Sequence, residues 1–199
     1  MYRFLETINV KGGGFLNLHY HQDRMAMVFR RFYGQLQSPA LADLFTLPDF
    51  AHSGNYKCRV IYSKDIELVE FTEYIPKPIR SLKIVNDDKI DYSFKFADRR
   101  PLEVLLSKKE SCDDVLIIKN GQVTDTSYSN ILFFDGRSWI TPDSPLLRGT
   151  CRQRLLDNHT IREQRVSFTD LTGFTHFMLI NAMLEFDERR AVDIGGIVF

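Results

Sequence analysis

The sequence has few cysteines and no net charge, and each shortage excludes a class of protein. Its three cysteines, Cys58, Cys112 and Cys151, are odd in number and form no C-x-x-C pair, which argues against a disulfide framework and a zinc site. With 26 basic and 26 acidic side chains, the chain has no general attraction for nucleic acid or an anionic membrane. We therefore predict a reduced, cytoplasmic protein that binds neither nucleic acid nor membrane.

Long apolar runs are also absent. The N-terminal residues lack the apolar stretch of a signal peptide, and no run approaches the roughly 20 residues that cross a bilayer. His19, His52, His159 and His176 show no metal-ligand spacing, so we expect no metal. What remains is an ordinary globular composition, 44% hydrophobic over 199 residues, which is enough for one domain or two small ones.

Hydrophobic periodicity predicts an α+β protein, because strands and helices are mixed without regular βαβ alternation. We expect strands at residues 3–10, 15–18, 57–62, 66–71, 82–85, 114–119, 122–124, 131–134, 138–141 and 177–180, and helices at 21–33, 40–45, 101–108 and 150–157. Glycines 12–14 read as a hairpin turn, since no P-loop Lys-Ser/Thr follows them. The prolines of Tyr74-Ile-Pro-Lys-Pro78 predict a boundary between domains of residues 1–76 and 77–199.

Three short segments carry groups that together suit one cofactor. Lys95 offers an amine, Asp125 is a carboxylate that follows a strand, and Gly149-Thr150 is a turn that opens a helix. Pyridoxal phosphate needs an amine for its aldehyde, an acid for its ring nitrogen and backbone N–H groups for its phosphate. No single segment is specific, but their order and spacing favour this cofactor.

Each of these residues also has a simpler explanation. Most lysines are solvated surface charges, Asp often caps a turn, and a Gly-Thr pair often caps a helix. Arg24 could be a solvated arginine on an amphipathic helix, and we interpret His21 as structural. Cys151 reads as a small neighbour of the phosphate rather than a nucleophile, although nearby helix N–H groups could lower its pKa.

Six segments in register resemble the class IV aminotransferase family of pyridoxal phosphate enzymes. They are residues 4–8, 21–24, 95, 123–125 with 129–133, 148–152 and 181–183. The resemblance implies a D-amino-acid aminotransferase-like fold, with a small N-terminal α/β domain (1–76) and a larger C-terminal, cofactor-binding domain (77–199). It also implies a homodimer. Family members carry a further segment before the first strand, so we expect a shortened N-terminus here.

The resemblance implies catalytic and ring-binding roles for three residues. Lys95 would form the Schiff base and move protons, and a cationic neighbour such as Arg99 would help its amine to lose a proton. Alternatively, Arg99 would orient a substrate carboxylate. Asp125 would hold the ring nitrogen protonated. The family usually has glutamate at this position, so the shorter aspartate predicts a longer or water-bridged contact.

The remaining implied contacts are all to the phosphate. Arg24, in a His-x-x-Arg motif, would give charge-assisted hydrogen bonds. Backbone N–H groups would come from Gly149, Thr150 and Cys151, and from a second turn at Ala182 and Met183.

The resemblance leaves the reaction open between three readings. Asn181-Ala182, and Arg99 followed by a leucine-rich helix, look like 4-amino-4-deoxychorismate lyase, which releases pyruvate and the folate precursor 4-aminobenzoate. The first alternative is an aminotransferase that acts on branched-chain or D-amino acids with a 2-oxo acid. The second is a pyridoxal phosphate-binding protein without catalysis. For the enzyme readings we expect a small-molecule substrate with an amino group.

Overall fold

A computed structural model describes residues 2–199 of the chain, which form two compact units. The first unit runs to Pro76 and also takes in Phe94–Asp98. The second comprises Lys77–Ser93 and Arg99–Phe199. The chain therefore passes to the second unit after Pro76, as the prolines there suggest, but residues 94–98 return to the first. Lys95 lies in that returning segment.

The first unit is an antiparallel sheet with one long helix. In the order β2-β1-β3-β4, its strands are Gly14–Phe15 (β2), Phe4–Lys11 (β1), Asn55–Tyr62 (β3) and Ile66–Glu73 (β4), and its helix is Leu18–Tyr33 (α1). Residues 21, 24, 25, 28 and 29 of α1 are buried, which is the spacing of a single helix face. The expected end of this helix at residue 33 is confirmed, because Gly34 closes the helix with a left-handed φ of 65°.

Two local expectations in this unit are wrong. Residues 15–18 do not form a strand, because β2 ends at Phe15 and α1 begins at Leu18, one turn before His21. The helix starts early because Asn17 adopts a left-handed φ of 56° and redirects the chain. The helix expected at 40–45 is a single 3₁₀ turn, Leu41–Leu44, which ends four residues before Pro48.

The returning segment is held along β1. The Leu5 N–H donates to the Lys95 carbonyl at 2.9 Å, and the Ala97 N–H donates to the Arg3 carbonyl at 2.8 Å. Phe4 and Phe96 form an antiparallel bridge, while Phe4 also pairs with β3 on its other side. These bonds fix the backbone at Lys95 as if it belonged to one more strand of the sheet.

The second unit is built on a nine-stranded mixed sheet. Its strands are Leu82–Asn86 (β5), Asp114–Lys119 (β6), Gln122–Thr126 (β7), Asn130–Phe134 (β8), Trp139–Pro142 (β9), Arg162–Gln164 (β10), His176–Ile180 (β11), Val192–Asp193 (β12) and Ile197–Val198 (β13). The order is β10-β9-β8-β7-β6-β5-β13, and β11 pairs with β8 and β12. Two helices, Arg100–Leu106 (α2) and Thr150–Asp157 (α3), complete the unit.

Turn chemistry and packing position the elements that matter for function. Asn120 and Gly121 both have positive φ, at 51° and 73°, which a type I′ turn between β6 and β7 requires. Cys151 and Leu155 of α3 belong to one buried cluster with Leu132 of β8 and other side chains of the sheet. This packing fixes the first turn of α3 against the sheet.

Within residues 2–199, no helix combines the length and apolar character that a bilayer crossing requires.

Candidate active site

Glu6 is the centre of a buried polar cluster in the first unit. It lies in β1 and is fully buried. It accepts hydrogen bonds from Arg24 Nε at 2.9 Å and Arg24 Nη2 at 2.5 Å, and His21 Nδ1 lies 2.6 Å from its Oε2 atom. Burial works to raise the pKa of Glu6, but the Arg24 charge and the two partners' hydrogen bonds hold it at about 2. Glu6 is therefore ionised and anchors both side chains.

His21 is neutral in this cluster. Burial lowers its pKa, and although Glu6 works to raise it, the charges of Arg24 and Lys95 lower it further. A neutral imidazole can donate its Nδ1 proton to the Glu6 carboxylate. The structural role that we expected for His21 agrees with this arrangement, and the half-buried Lys95 is close enough for its charge to lower the pKa of His21.

The contacts of Arg24 differ from those of a solvated arginine. Its side chain is buried, and two of its nitrogens bind Glu6. Sequence reasoning missed Glu6, although one signal was available. It is the only acid in a strand whose neighbours are mostly apolar, and it precedes a helix that carries a histidine and an arginine on its inward face.

In the second unit, Asp125 is a buried acid rather than an exposed turn cap. Asn130 Nδ2 donates to its Oδ1 atom at 2.8 Å, and the Leu147 N–H donates to its Oδ2 atom at 2.9 Å. Burial raises the pKa of Asp125 to about 6, although these hydrogen bonds and the charge of Arg152 work against the rise. The residue can therefore hold or release a proton near neutral pH.

Gly149 stands at the N-terminus of α3 in a position that excludes any larger residue. A Cβ atom there would lie 2.0 Å from Asn130 Oδ1. The Gly149 backbone is extended, and no side chain caps the helix. The N–H groups of the first turn and the positive end of the helix dipole favour an anion at this place.

Cys151 is buried in the first turn of α3 and is not activated. Burial raises the pKa of its thiol to about 12, and the charge of Glu185 adds to the rise, while Arg154 opposes it. The expectation that helix N–H groups lower this pKa is wrong, because desolvation outweighs them. Cys151 packs in the buried cluster between α3 and the sheet, and its place beside a phosphate stays a prediction.

The second turn is organised by the Asn181 side chain. Its Oδ1 atom accepts from the N–H groups of Met183 at 2.8 Å and Leu184 at 3.0 Å, and its Nδ2 atom donates to Ser129 Oγ at 3.0 Å. The Met183 N–H, expected to bind phosphate, is thus engaged within the protein. The Ala182 N–H has no hydrogen-bond partner among residues 2–199.

Arg99 is held in the second unit by its neighbours' backbone and rings. Its Nη2 atom donates to the Ser127 carbonyl at 2.7 Å, and its Nη1 atom lies 3.4 Å from the Tyr92 hydroxyl. Its guanidinium carbon lies 4.1 Å from the centre of the Tyr128 ring. The second unit therefore contains two hydrogen-bonded clusters. In one, Asn130 joins Asp125 to the loop before α3, and the other consists of Arg99 and its partners.

Comparison with known proteins assigns the chain to a family. The family model described as amino-transferase class IV matches residues 102–186. An uncharacterized protein of Haemophilus influenzae is 36% identical over 185 residues, which are 92% of this chain and 98% of the relative. A crystal structure from Haemophilus somnus, of a protein named as a candidate 4-amino-4-deoxychorismate lyase, is 38% identical, with a TM-score of 0.86 over 94% of this chain and 98% of that one. The chain belongs to the class IV aminotransferase family.

Membership of the class IV family confirms the fold and the cofactor expected from the sequence, because this is a family of pyridoxal phosphate enzymes. A fold IV transaminase from Curtobacterium pusillum has a TM-score of 0.73 over 98% of this chain and 76% of its own, at 17% identity. That likeness is one of fold.

Among residues 2–199, no group of three or more His, Cys, Asp or Glu side chains is arranged to hold a metal ion.

Proposed function

We propose that this class IV protein is a pyridoxal phosphate-dependent lyase that converts 4-amino-4-deoxychorismate to 4-aminobenzoate and pyruvate. The observation that most supports this reaction is the 38% identity, over 94% of the chain, to the Haemophilus somnus protein named as a candidate lyase of this kind. Asn181-Ala182 supports the same reading. The asparagine amide shapes the turn from within, by accepting the N–H groups of Met183 and Leu184.

The residues of the second unit fit the cofactor. Asp125 is a buried carboxyl with a pKa of about 6, so a protonated ring nitrogen beside it would hold it ionised. The first turn of α3 has no side-chain cap, which suits a phosphate at Gly149, Thr150 and Cys151. Ala182 contributes one more backbone N–H. The Met183 N–H is used by Asn181, so we assign the binding at that turn to Ala182.

In the first unit, we propose that Lys95 attaches the cofactor and moves the proton. When bound, the cofactor supplies an electron sink for the carbanion at the substrate's amine-bearing carbon. The Lys95 amine takes the proton from that carbon and returns one to the departing three-carbon fragment. The two products together contain the atoms of the substrate, so the step needs no oxidant. It needs no second base because Lys95 would return the proton that it takes. Arg24 remains our candidate for a phosphate contact, with its orientation set by Glu6.

The deciding experiment measures the products of the purified, cofactor-loaded protein. We expect 4-aminobenzoate and pyruvate to appear in equal amounts from 4-amino-4-deoxychorismate, and Lys95→Ala to lower the rate by at least about a hundred-fold. Lys89→Ala, at an exposed lysine, is the matched control. Amino transfer to 2-oxoglutarate without release of 4-aminobenzoate would replace the lyase with an aminotransferase.

Loading with the cofactor is a separate test from turnover. The wild-type protein should be yellow, and its visible band should shift on reduction with borohydride, whereas Lys95→Ala should give no such shift. A yellow protein that performs neither reaction would support a non-catalytic binding protein. We also propose a homodimer in the cytoplasm, and sedimentation would test the oligomeric state.

A further inference from the structure

Arg99 is an immobilised cation without an acidic partner. It is held by the Ser127 carbonyl, the Tyr92 hydroxyl and the ring of Tyr128. Among residues 2–199, no carboxylate lies within ion-pair distance of its guanidinium group. Its Nε atom is buried and has no hydrogen-bond acceptor. Leaving a buried charged donor unpaired is costly, so this atom calls for an acceptor that residues 2–199 do not supply.

Ser127 carries a second unpaired group next to the same guanidinium. The residue is 2% exposed, and its Oγ atom is buried without a partner. Its backbone, by contrast, is used, because its carbonyl accepts from Arg99 and its N–H points to Asp114 Oδ1 at 3.4 Å. A buried hydroxyl without a partner is an available donor.

The two unpaired atoms belong to residues that already touch. Nε and Nη2 share one edge of the planar guanidinium group, and Nη2 is the atom that reaches Ser127. We propose that Arg99 Nε and Ser127 Oγ form a subsite for the carboxylate of a small-molecule ligand. In the proposed function, on which this identification of the ligand rests, the carboxylate is that of the substrate and of the 4-aminobenzoate product.

The chemistry of the subsite favours a carboxylate over other anions. The Nε donor of Arg99 and the Ser127 hydroxyl supply two directed donors beside a single positive charge, which match two carboxylate oxygens. The Tyr128 ring and the Ser127 carbonyl hold the guanidinium in place before a ligand arrives, so little side-chain freedom is lost on binding. Ser127 would thus bind the substrate carboxylate together with Arg99.

Calorimetry on the cofactor-loaded protein with matched pairs of probes tests the subsite. The pairs are 4-aminobenzoate with 4-aminobenzamide, and benzoate with benzamide, since each amide keeps the shape and removes the charge. We expect at least one carboxylate to bind at least about tenfold more tightly than its amide. Arg99→Met should abolish that preference, and Ser127→Ala should reduce it about three- to tenfold.

Two controls separate recognition from folding. Arg30→Met and Ser107→Ala change an exposed arginine and an exposed serine, and both should keep the preference for the carboxylate. Arg99→Lys, which keeps the charge but loses the planar edge, should keep only part of it. Each variant should retain its visible cofactor band, which shows that the protein is still loaded.

The outcomes distinguish the subsite from the proposed reaction. Equal binding of acid and amide in both pairs, or a preference that survives Arg99→Met, would refute the subsite. A preference that depends on Arg99 in a protein that makes no 4-aminobenzoate would keep the subsite and refute the lyase. Release of 4-aminobenzoate with an unchanged KM in both Arg99→Met and Ser127→Ala would keep the lyase and refute the subsite.

Discussion

Asn130 joins Asp125 to the loop that leads into α3. Its Nδ2 atom donates to Asp125 Oδ1 and to the Leu147 carbonyl, both at 2.8 Å. Its Oδ1 atom is packed so closely against Gly149 that a Cβ would come within 2.0 Å. One amide group thus links the proposed partner of the ring nitrogen to the proposed phosphate turn.

Replacing Asn130 by alanine should weaken both ends of this link. Asp125 and the Leu147 carbonyl would each lose a donor in a buried place, so we expect the free energy of unfolding to fall by about 1–3 kcal/mol. Affinity for pyridoxal phosphate should fall as well. Urea denaturation and cofactor titration measure the two effects. Asn86→Ala, at an exposed strand end, is the control, and the link is unimportant if both alanine variants behave alike.

The raised pKa of Asp125 predicts an unusual dependence of stability on pH in the cofactor-free protein. Its pKa is about 6 in the folded protein, against an ordinary value of 3.8, so the folded state holds the proton more tightly. Stability from this group is therefore fully present below about pH 4 and is lost as pH rises to about 6, by up to about 3 kcal/mol. Above that range the loss is complete.

Asp125→Asn should remove this trend, because the amide does not titrate. The test is the difference in unfolding free energy between the wild type and the variant from pH 4 to 8, which cancels the titration of His21 in both proteins. Titration of Glu6 affects stability only at lower pH, since the pKa of Glu6 in the folded protein is about 2. Parallel curves for the two proteins would contradict the assignment of a raised pKa to Asp125.

The sequence was most informative where local chemistry decides the structure. The Asn120-Gly121 turn, the helix stop at Gly34 and helix α3 could be predicted because each depends on the residues of one short segment. The early start of α1 could not, because it depends on the left-handed backbone of Asn17 and not on any apolar pattern.

The candidate site divides in the same way. Lys95, Asp125 and Gly149 lie in motifs that can be read along the chain. The roles of Glu6 and Asn130 were not assigned from the sequence, because their partners lie 18 and 17 residues away in sequence, at Arg24 and Leu147. The expectation for Cys151 was wrong for a further reason: sequence proximity to a helix start reveals the dipole but not the burial that outweighs it.

The three thiols should resist modification in the folded protein. All three are buried, which keeps reagents away from them, and burial raises the pKa of Cys58 and Cys151 to about 12, so these two form little thiolate at pH 8. We expect iodoacetamide to label none of them within the time in which it labels the urea-unfolded chain completely. Mass spectrometry of digested samples gives the extent at each site. Rapid native labelling of Cys151 would show that the first turn of α3 is reactive after all.

The Glu6–Arg24 pair should be strongly coupled. Glu6→Gln leaves the Arg24 charge buried without its counter-ion, so we expect a loss of about 3–5 kcal/mol in the free energy of unfolding. Arg24→Met should cost a similar amount, whereas the double variant Glu6→Gln/Arg24→Met should cost clearly less than the two together. Asp187→Asn, which breaks the exposed pair with Arg189, should change stability little. If the two losses at Glu6 and Arg24 simply add, the carboxylate does not hold the arginine in place, and Arg24 reaches its position without Glu6.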